Sequence, residues 1–419
     1  MSRVDVLIAG GGMVGISLAL CLRNKLGLGT KLLLVESFPL PEHDPDFRAA
    51  YSPSFDARST ALSYASRLIY EELDLWPDLR EHCCPIRQIH VSDRGRFGST
   101  LMSAADYGWP ALGYVVENAW LGNVLVQALH RADITTISPE RVTGAEFSGN
   151  GATVSLASGD SLHAELLVVA DGAQSSLRES LGIEISRQDY GQHALIANIA
   201  HAQPHEGLAY ERFTPDGPLA MLPLVGAIDE VAGGGENRSA LVWSLAPEQA
   251  AQMQNAEQDI FLAELQKAFG YRLGRLLHAG ERGSYPLSLV QAREQVRSHL
   301  VVMGNAAHSL HPVAGQGFNL ALRSVAQLGV CLSAARYAGA SLGELSVLQG
   351  YQRTQQGDQA LTTQFSDRLP GLFMQRDPAL GILRDAGLLA LDLSPVLKRE
   401  FVRQTAGVAA SARYRDVQP

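Results

Sequence analysis

Gly10, Gly12 and Gly15 stand in GGGMVG at G-x-G-x-x-G spacing. In a dinucleotide-binding turn, Gly10 permits the tight bend, Gly12 lets the backbone approach a pyrophosphate, and Gly15 lets helix and strand pack closely. The phosphates then sit at the helix N-terminus, where unbonded N–H groups converge. Glu36 follows about 20 residues past the last glycine, the place from which a carboxylate accepts ribose hydroxyl hydrogen bonds. A second glycine pair, Gly315 and Gly317 in GQGFNLAL, opens another helix whose free N–H groups and positive dipole end suit a negative charge. Asp171-Gly172 closes the run ELLVVADG, a turn in which the aspartate holds local backbone and leaves an oxygen pointing outward.

These residues need elements to carry them. Val4 to Ile8 is a short β-branched run bounded by glycine, Val14 to Leu22 has helical length and propensity, and Lys31 to Glu36 is a second apolar run. Strand, helix and strand in that order give a Rossmann-type βαβ unit within an α/β fold. Further strands are expected at Glu165 to Ala170, after a hairpin, and at His299 to Met303, ahead of a helix from Phe318. DARSTALSYASRLIYEELDLW carries apolar residues at helical spacing, with Asp56 or Ser59 as its cap. From about Gly182 to Tyr285 short strand candidates alternate with glycine and proline, and one helix is expected from Pro247 to Phe269. That pattern is an antiparallel sheet in a separate lobe. The expected division is a discontinuous nucleotide-binding domain over 1–75, 110–181 and 286–340, a second domain over 76–109 and 182–285, and a helical region over 341–419.

Composition narrows the function classes. The chain has 419 residues, 46% of them hydrophobic, and a formal net charge of −9, with mean hydropathy near zero. This is the make-up of a globular protein and argues against nucleic acid as a partner. The four cysteines, Cys21, Cys83, Cys84 and Cys331, form neither a disulfide ladder nor a pair of metal-type C-x-x-C motifs. No basic leader precedes the first strand, and no uninterrupted apolar stretch approaches the ~20 residues of a membrane span. Ala379 to Leu393 is expected to pack against the protein itself, a membrane-lying or partner-facing helix being the other reading, so a cytoplasmic location is expected, peripheral at a membrane in the second case.

Three motifs set side by side, GGGMVG with Glu36, ADGAQSSLR at Ala170 to Arg178, and GNAAHSLHPVAGQGFNLAL at Gly304 to Leu322, resemble the class A flavoprotein aromatic hydroxylases. DARSTALS at Asp56 to Ser63, YGQ at Tyr190 to Gln192 and ERFTPDGPLAMLPL at Glu211 to Leu224 are similar to the ubiquinone-biosynthesis hydroxylases within that group, over nearly the full length. The resemblance implies a p-hydroxybenzoate-hydroxylase-like FAD fold with an antiparallel-sheet substrate domain and a helical C-terminal region. It implies FAD as cofactor, NAD(P)H as co-substrate, and dioxygen and a polyprenylphenol as partners. Oxygen insertion into a polyprenylated methoxyphenol ring through a flavin C4a-hydroperoxide is the implied reaction. C-terminal helices would contact a membrane or other ubiquinone-pathway proteins.

By the same resemblance Gly10, Gly12, Gly15, Glu36, Arg58, Val142, Asp171, Gly172, Asn305, Pro312, Gly315, Gln316, Gly317 and Asn319 form the FAD site, with Arg58 at the phosphates and Val142 at the adenine. Arg178 would lie near the nicotinamide nucleotide's path. The sheet carrying Phe213, Pro218, Met221 and Pro223 would roof the substrate pocket. Two residues depart from the family pattern: Asn305 stands where aspartate is usual, keeping the hydrogen bonds without the charge, and Ser324 replaces a frequent aspartate. His308, His311 and Pro312 are the candidates nearest the chemistry, and imidazole titrates in the range that accepts a phenolic proton. Loop packing is the other reading of both histidines. The alternatives are another ring hydroxylase of the same pathway, an oxidoreductase on the same FAD fold that inserts no oxygen, and a flavin-bearing scaffold subunit; product mass and C-terminal deletion would separate the last two.

Overall fold

The computed structural model describes residues 3–54, 58–96, 98–226, 237–310, 315–374, 387 and 389–409. β1 (Arg3–Ala9), α1 (Met13–Leu26) and β2 (Leu32–Val35) form the first unit. β1 and β2 run parallel, with Val6 opposite Leu32. β3 (Ser59–Ser63) leads directly into α2 (Tyr64–Glu72). β4 (Ser161–Val169) pairs parallel with β1 on one side and with Leu300–Val302 on the other. Each strand of this layer is covered on both faces, which is why Val6, Leu7, Ile8, Leu166, Leu167, Val168 and Val169 are fully buried.

A second sheet of nine strands stands apart from the first. At its centre β5 (Leu208–Thr214), β6 (Gly217–Pro223) and β7 (Arg238–Leu245) run antiparallel in succession, and β5 adds a parallel pair with Gln88–Asp93. Alternate residues face opposite ways. Tyr210, Leu219, Met221, Leu241 and Trp243 pack under the helices Pro247–Asn255 and Gln258–Phe269. Ala209, Phe213, Pro218, Ala220 and Val242 face the other side.

Two local expectations change. The segment 59–63 is a strand rather than a helix start, because it pairs with Gly113–Glu117 more than 50 residues away. The helix then begins at Tyr64 and Ser63 caps it, its hydroxyl accepting the Ser66 N–H at 3.2 Å. Ser59 does not cap, and Asp56 lies outside the described residues. The single helix expected over Pro247–Phe269 is two, broken by extended backbone at Ala256 and Glu257. Asn255 turns its amide back to the Ala251 carbonyl at 2.8 Å, competing for the backbone there.

α3 (Gln316–Tyr337) and α4 (Leu345–Met374) follow the second return to the parallel sheet, and α5 (Pro395–Thr405) comes last. α3 is long and apolar enough to span a membrane by length and composition alone, but 61% of its most apolar window is buried inside the protein. It packs against α1 and α4 as a core helix. Of the stretch Ala379 to Leu393, residues 379–386 and 388 lie outside the described residues.

Candidate active site

The end of β1, the start of α1 and the end of β4 meet at one point. Gly10 has φ +113°, and a Cβ there would lie 2.5 Å from the Ala170 carbonyl oxygen and 2.8 Å from Asp171 Cα. Only glycine lets the second motif pass so close to the first. A Cβ on Gly15 would fall 1.8 Å from the Gly10 carbonyl oxygen, so α1 rests on the turn itself. Above Gly12, the N-cap of α1, nothing lies within 4 Å. The helix thus presents its free N–H groups to an open space shaped for close backbone approach.

Glu36 stands beside that space. Its Oε2 accepts the Gly11 N–H at 2.5 Å, and its Oε1 accepts the Phe38 N–H at 2.9 Å and the Ser37 hydroxyl at 3.1 Å. Its backbone carbonyl accepts the Glu140 N–H, bringing residues 140–142 alongside; the Val142 side chain is buried in the core. Asp171-Gly172 turns at the rim, with Gly172 at φ +97°. Burial raises the Asp171 carboxyl pKa against the opposing hydrogen bond from Ser175. Arg178 is buried and donates from Nη1 to the Ala306 carbonyl at 3.1 Å, tying the second motif to the third.

The third motif supplies the other end. Gly304 and Asn305 form a short turn after Leu300–Val302, leaving Asn305 exposed to a cavity. Gly315 caps α3 with φ +60°, and nothing lies within 4 Å of the Cβ position of Gly317. The Asn319 side chain is fully engaged: Oδ1 accepts the Ser63 N–H at 2.8 Å and the Ser66 hydroxyl at 2.6 Å, while Nδ2 donates to the Ala61 and Gly315 carbonyls at 2.8 and 2.7 Å. It shapes the helix entrance and has no hydrogen-bonding capacity left for a ligand. Gln316 donates to the Thr405 carbonyl at 3.2 Å and so fastens α5 to the same entrance. Arg58 is exposed, its guanidinium 6.0 Å from the Tyr285 ring centre. His311 and Pro312 lie outside the described residues. Ser324 bonds Gln355 of α4 at 3.0 Å, and the neighbouring Arg323 makes a bidentate pair with Asp358.

Between the Gly315–Asn319 entrance and the second sheet lies a cavity of about 600 Å³. Its lining is mostly apolar: β3 and Leu112 on one side, Phe213, Pro218, Ala220 and Val242 above, and Phe401 and Val402 of α5 at the end. Phe213 and Pro218 take the place expected of them. Met221 does not, since odd-numbered residues of β6 face the helix layer, and Pro223 shares its parity. Glu211, missed in the sequence, lines this cavity. Its burial pushes the carboxyl up to about 7, and no opposing charge brings it back. Its one visible signal was the acid between alternating apolar positions of β5.

His308 is not suited to the catalytic role suggested for it. It is fully enclosed, makes no hydrogen bond through either ring nitrogen, and is absent from the cavity wall. Burial, with Arg323 nearby, lowers its pKa to about 4. A group so placed reaches no substrate proton.

The FAD binding domain family matches residues 3–353. Ubiquinone hydroxylase UbiL of Rhodospirillum rubrum is 34% identical over 404 residues, covering 96% of this chain and 89% of that protein. 3-Demethoxyubiquinol 3-hydroxylase of Escherichia coli is 31% identical over 407 residues, covering 96% and 98%. The p-nitrophenol 4-monooxygenase PnpA of Pseudomonas putida superposes with a TM-score of 0.73 at 17% identity, covering 97% and 99%, a likeness of fold. Fold, glycine entrances and matches together define a FAD-dependent monooxygenase of the aromatic-hydroxylase class. More narrowly, the chain belongs to the family of the ubiquinone-biosynthesis hydroxylases.

Proposed function

We propose that this enzyme hydroxylates the ring of a polyprenylated methoxyphenol in ubiquinone biosynthesis, with NAD(P)H as electron donor. One observation carries the reading: an apolar cavity large enough for a substituted ring meets the glycine-rich start of a long helix at one end and the C-terminal helices at the other. When bound, FAD would supply the redox chemistry by which electrons from NAD(P)H let one atom of dioxygen be placed on the ring. The chain's own residues bind and exclude. The N–H groups at Gly12 would receive the pyrophosphate and Glu36 the ribose, with Asp171-Gly172 at their rim, and by the family resemblance Arg58 would meet the phosphates. Asn305 would hold the ribityl hydroxyls through its amide, and the N–H groups at Gly315 to Gly317 would stabilise negative charge on the ring system. The apolar wall keeps water from the reacting atoms.

A polyprenyl tail needs a greasy exit, and Leu391, Phe401 and Val402 provide one. Outside it Leu389, Leu393, Val396 and Leu397 are all more than half exposed, with Arg399 and Arg403 beside them, while Lys398 is held by Asp392 at 2.8 Å and Glu400 stands next to Arg399. That composition suits a peripheral contact with an anionic membrane surface. Wild-type protein is expected to co-sediment with phosphatidylglycerol-containing vesicles, and Leu393→Glu/Val396→Glu to stay in the supernatant. Equal sedimentation of the two would count against the contact.

The function itself is tested with FAD-loaded protein, a short-chain 2-prenyl-6-methoxyphenol, NADPH and dioxygen. A product one oxygen atom heavier supports it. Nucleotide oxidation that yields only hydrogen peroxide from a substrate shown to bind counts against it.

A further inference from the structure

Among the described residues that line the cavity, Glu211 is the one carboxylic acid, and no Lys, Arg or His joins it. Strand geometry fixes where it points. Ala209, Glu211 and Phe213 alternate with Tyr210 and Arg212 along β5. Arg212 turns to the helix layer, donating to the Ala268 carbonyl at 3.1 Å. Directly across the sheet Glu211 is flanked by Ala220 of β6 and by Val91. Neither neighbour can hydrogen-bond it through a side chain. A carboxyl in such a setting is costly to ionise, and sheet chemistry offers no structural return for it. Its free oxygens face the space where a substrate ring would lie.

We propose that Glu211 is the acid–base residue of the hydroxylation, accepting the proton of the substrate's phenolic hydroxyl as the ring is oxygenated. The proposal rests on the phenol hydroxylase reading above. The O–H bond breaks and its proton passes to a Glu211 oxygen, while the bonding electron pair stays on the phenol oxygen and enriches the ring carbon under attack. That carbon forms a C–O bond to the oxygen atom delivered in the established reaction. The hydrogen it carried leaves as a proton when aromaticity is restored, and the carboxyl returns its proton to the phenolic oxygen. Over the cycle the ring loses two electrons, NAD(P)H supplies two more, and dioxygen takes all four, giving one ring hydroxyl and one water. A carboxyl titrating near the working pH suits this exchange better than an ordinary one, since it both accepts and returns the proton readily.

The test compares wild type, Glu211→Gln and Glu211→Asp, each loaded with FAD. All three are expected to bind FAD and be reduced by NADPH at similar rates, because Glu211 lies away from the Gly10–Glu36 entrance. In wild type kcat/KM for product is expected to rise with pH through about 7 as the carboxyl ionises. Glu211→Gln should lose that limb and form product at least about 100-fold more slowly, releasing hydrogen peroxide instead. Glu211→Asp should recover the limb, and a more acidic fluorinated phenol should recover part of the rate in Glu211→Gln. A glutamine variant with the wild-type rate and pH profile would overturn the proposal alone. Wild-type protein that oxidises NADPH but never oxygenates the bound phenol would overturn the functional reading, and the proposal with it.

Discussion

Glu117 is a buried carboxyl and Glu211 a half-buried one, and their surroundings assign them opposite tasks. Glu117 is paired with Arg238 at 2.5 Å, accepts the Tyr51 hydroxyl, and receives the Ser54 N–H, so it locks the segment before β3 onto β7. Glu211 has no such partner and faces a cavity. His308 is a third kind of buried polar group, neutral because burial and Arg323 oppose its charge. Its folded pKa of about 4 lies below the unfolded value near 6.5, so between those values the unfolded chain binds more protons and stability rises with pH. The stabilisation present at pH 7 is therefore lost as pH falls through that window, by up to about 3 kcal/mol. Urea unfolding of wild type and His308→Leu between pH 4 and 7 checks this. The difference between the two should change with pH by that amount, whereas parallel curves would show that His308 titrates normally.

At the scale of elements, the two-residue period of β6 separates functions one residue apart. Ala220 opposes Glu211 on the cavity face, and Met221 lies in the helix-covered core. Ala220→Phe is expected to leave FAD binding and stability near wild type while raising KM for the phenol. Met221→Phe should overpack the helix layer and cost about 1–3 kcal/mol of stability with little change in KM. Reversal of the two phenotypes in denaturation and kinetics would show the register to be wrong by one. This parity is only partly legible in the sequence, where Phe213 and Pro218 look no different from Met221 and Pro223, yet only the first two face the cavity. The glycine entrances were fully written in residue type, because φ +113° at Gly10 and a carbonyl 2.5 Å from its missing Cβ leave no other choice. What escaped depends on chain brought from far away. β3 is a strand only because Gly113–Glu117 lies beside it, and Glu211 is isolated only because Val91 and Ala220 close round it. The engagement of Asn319 likewise needs Ala61 and Ser63, some 250 residues earlier in the chain.

Across the whole molecule, a sheet with a parallel centre carries the nucleotide entrance, a mainly antiparallel sheet roofs the cavity, and the last helices close its far end. The end of α5 takes part through two backbone carbonyls, Thr405 accepting from Gln316 and the capping residue Ala406 from the Ala65 N–H at 3.0 Å. One short segment thereby joins the cavity to the exposed apolar side chains of Leu393, Val396 and Leu397. The decisive measurement is turnover of the short-chain methoxyphenol under heavy-isotope dioxygen in ordinary water, with the product analysed by mass. One labelled oxygen atom on the ring is the expected result. A ring oxygen drawn from water, or full nucleotide consumption with an unaltered ring, would contradict the assignment of this cavity to oxygen insertion.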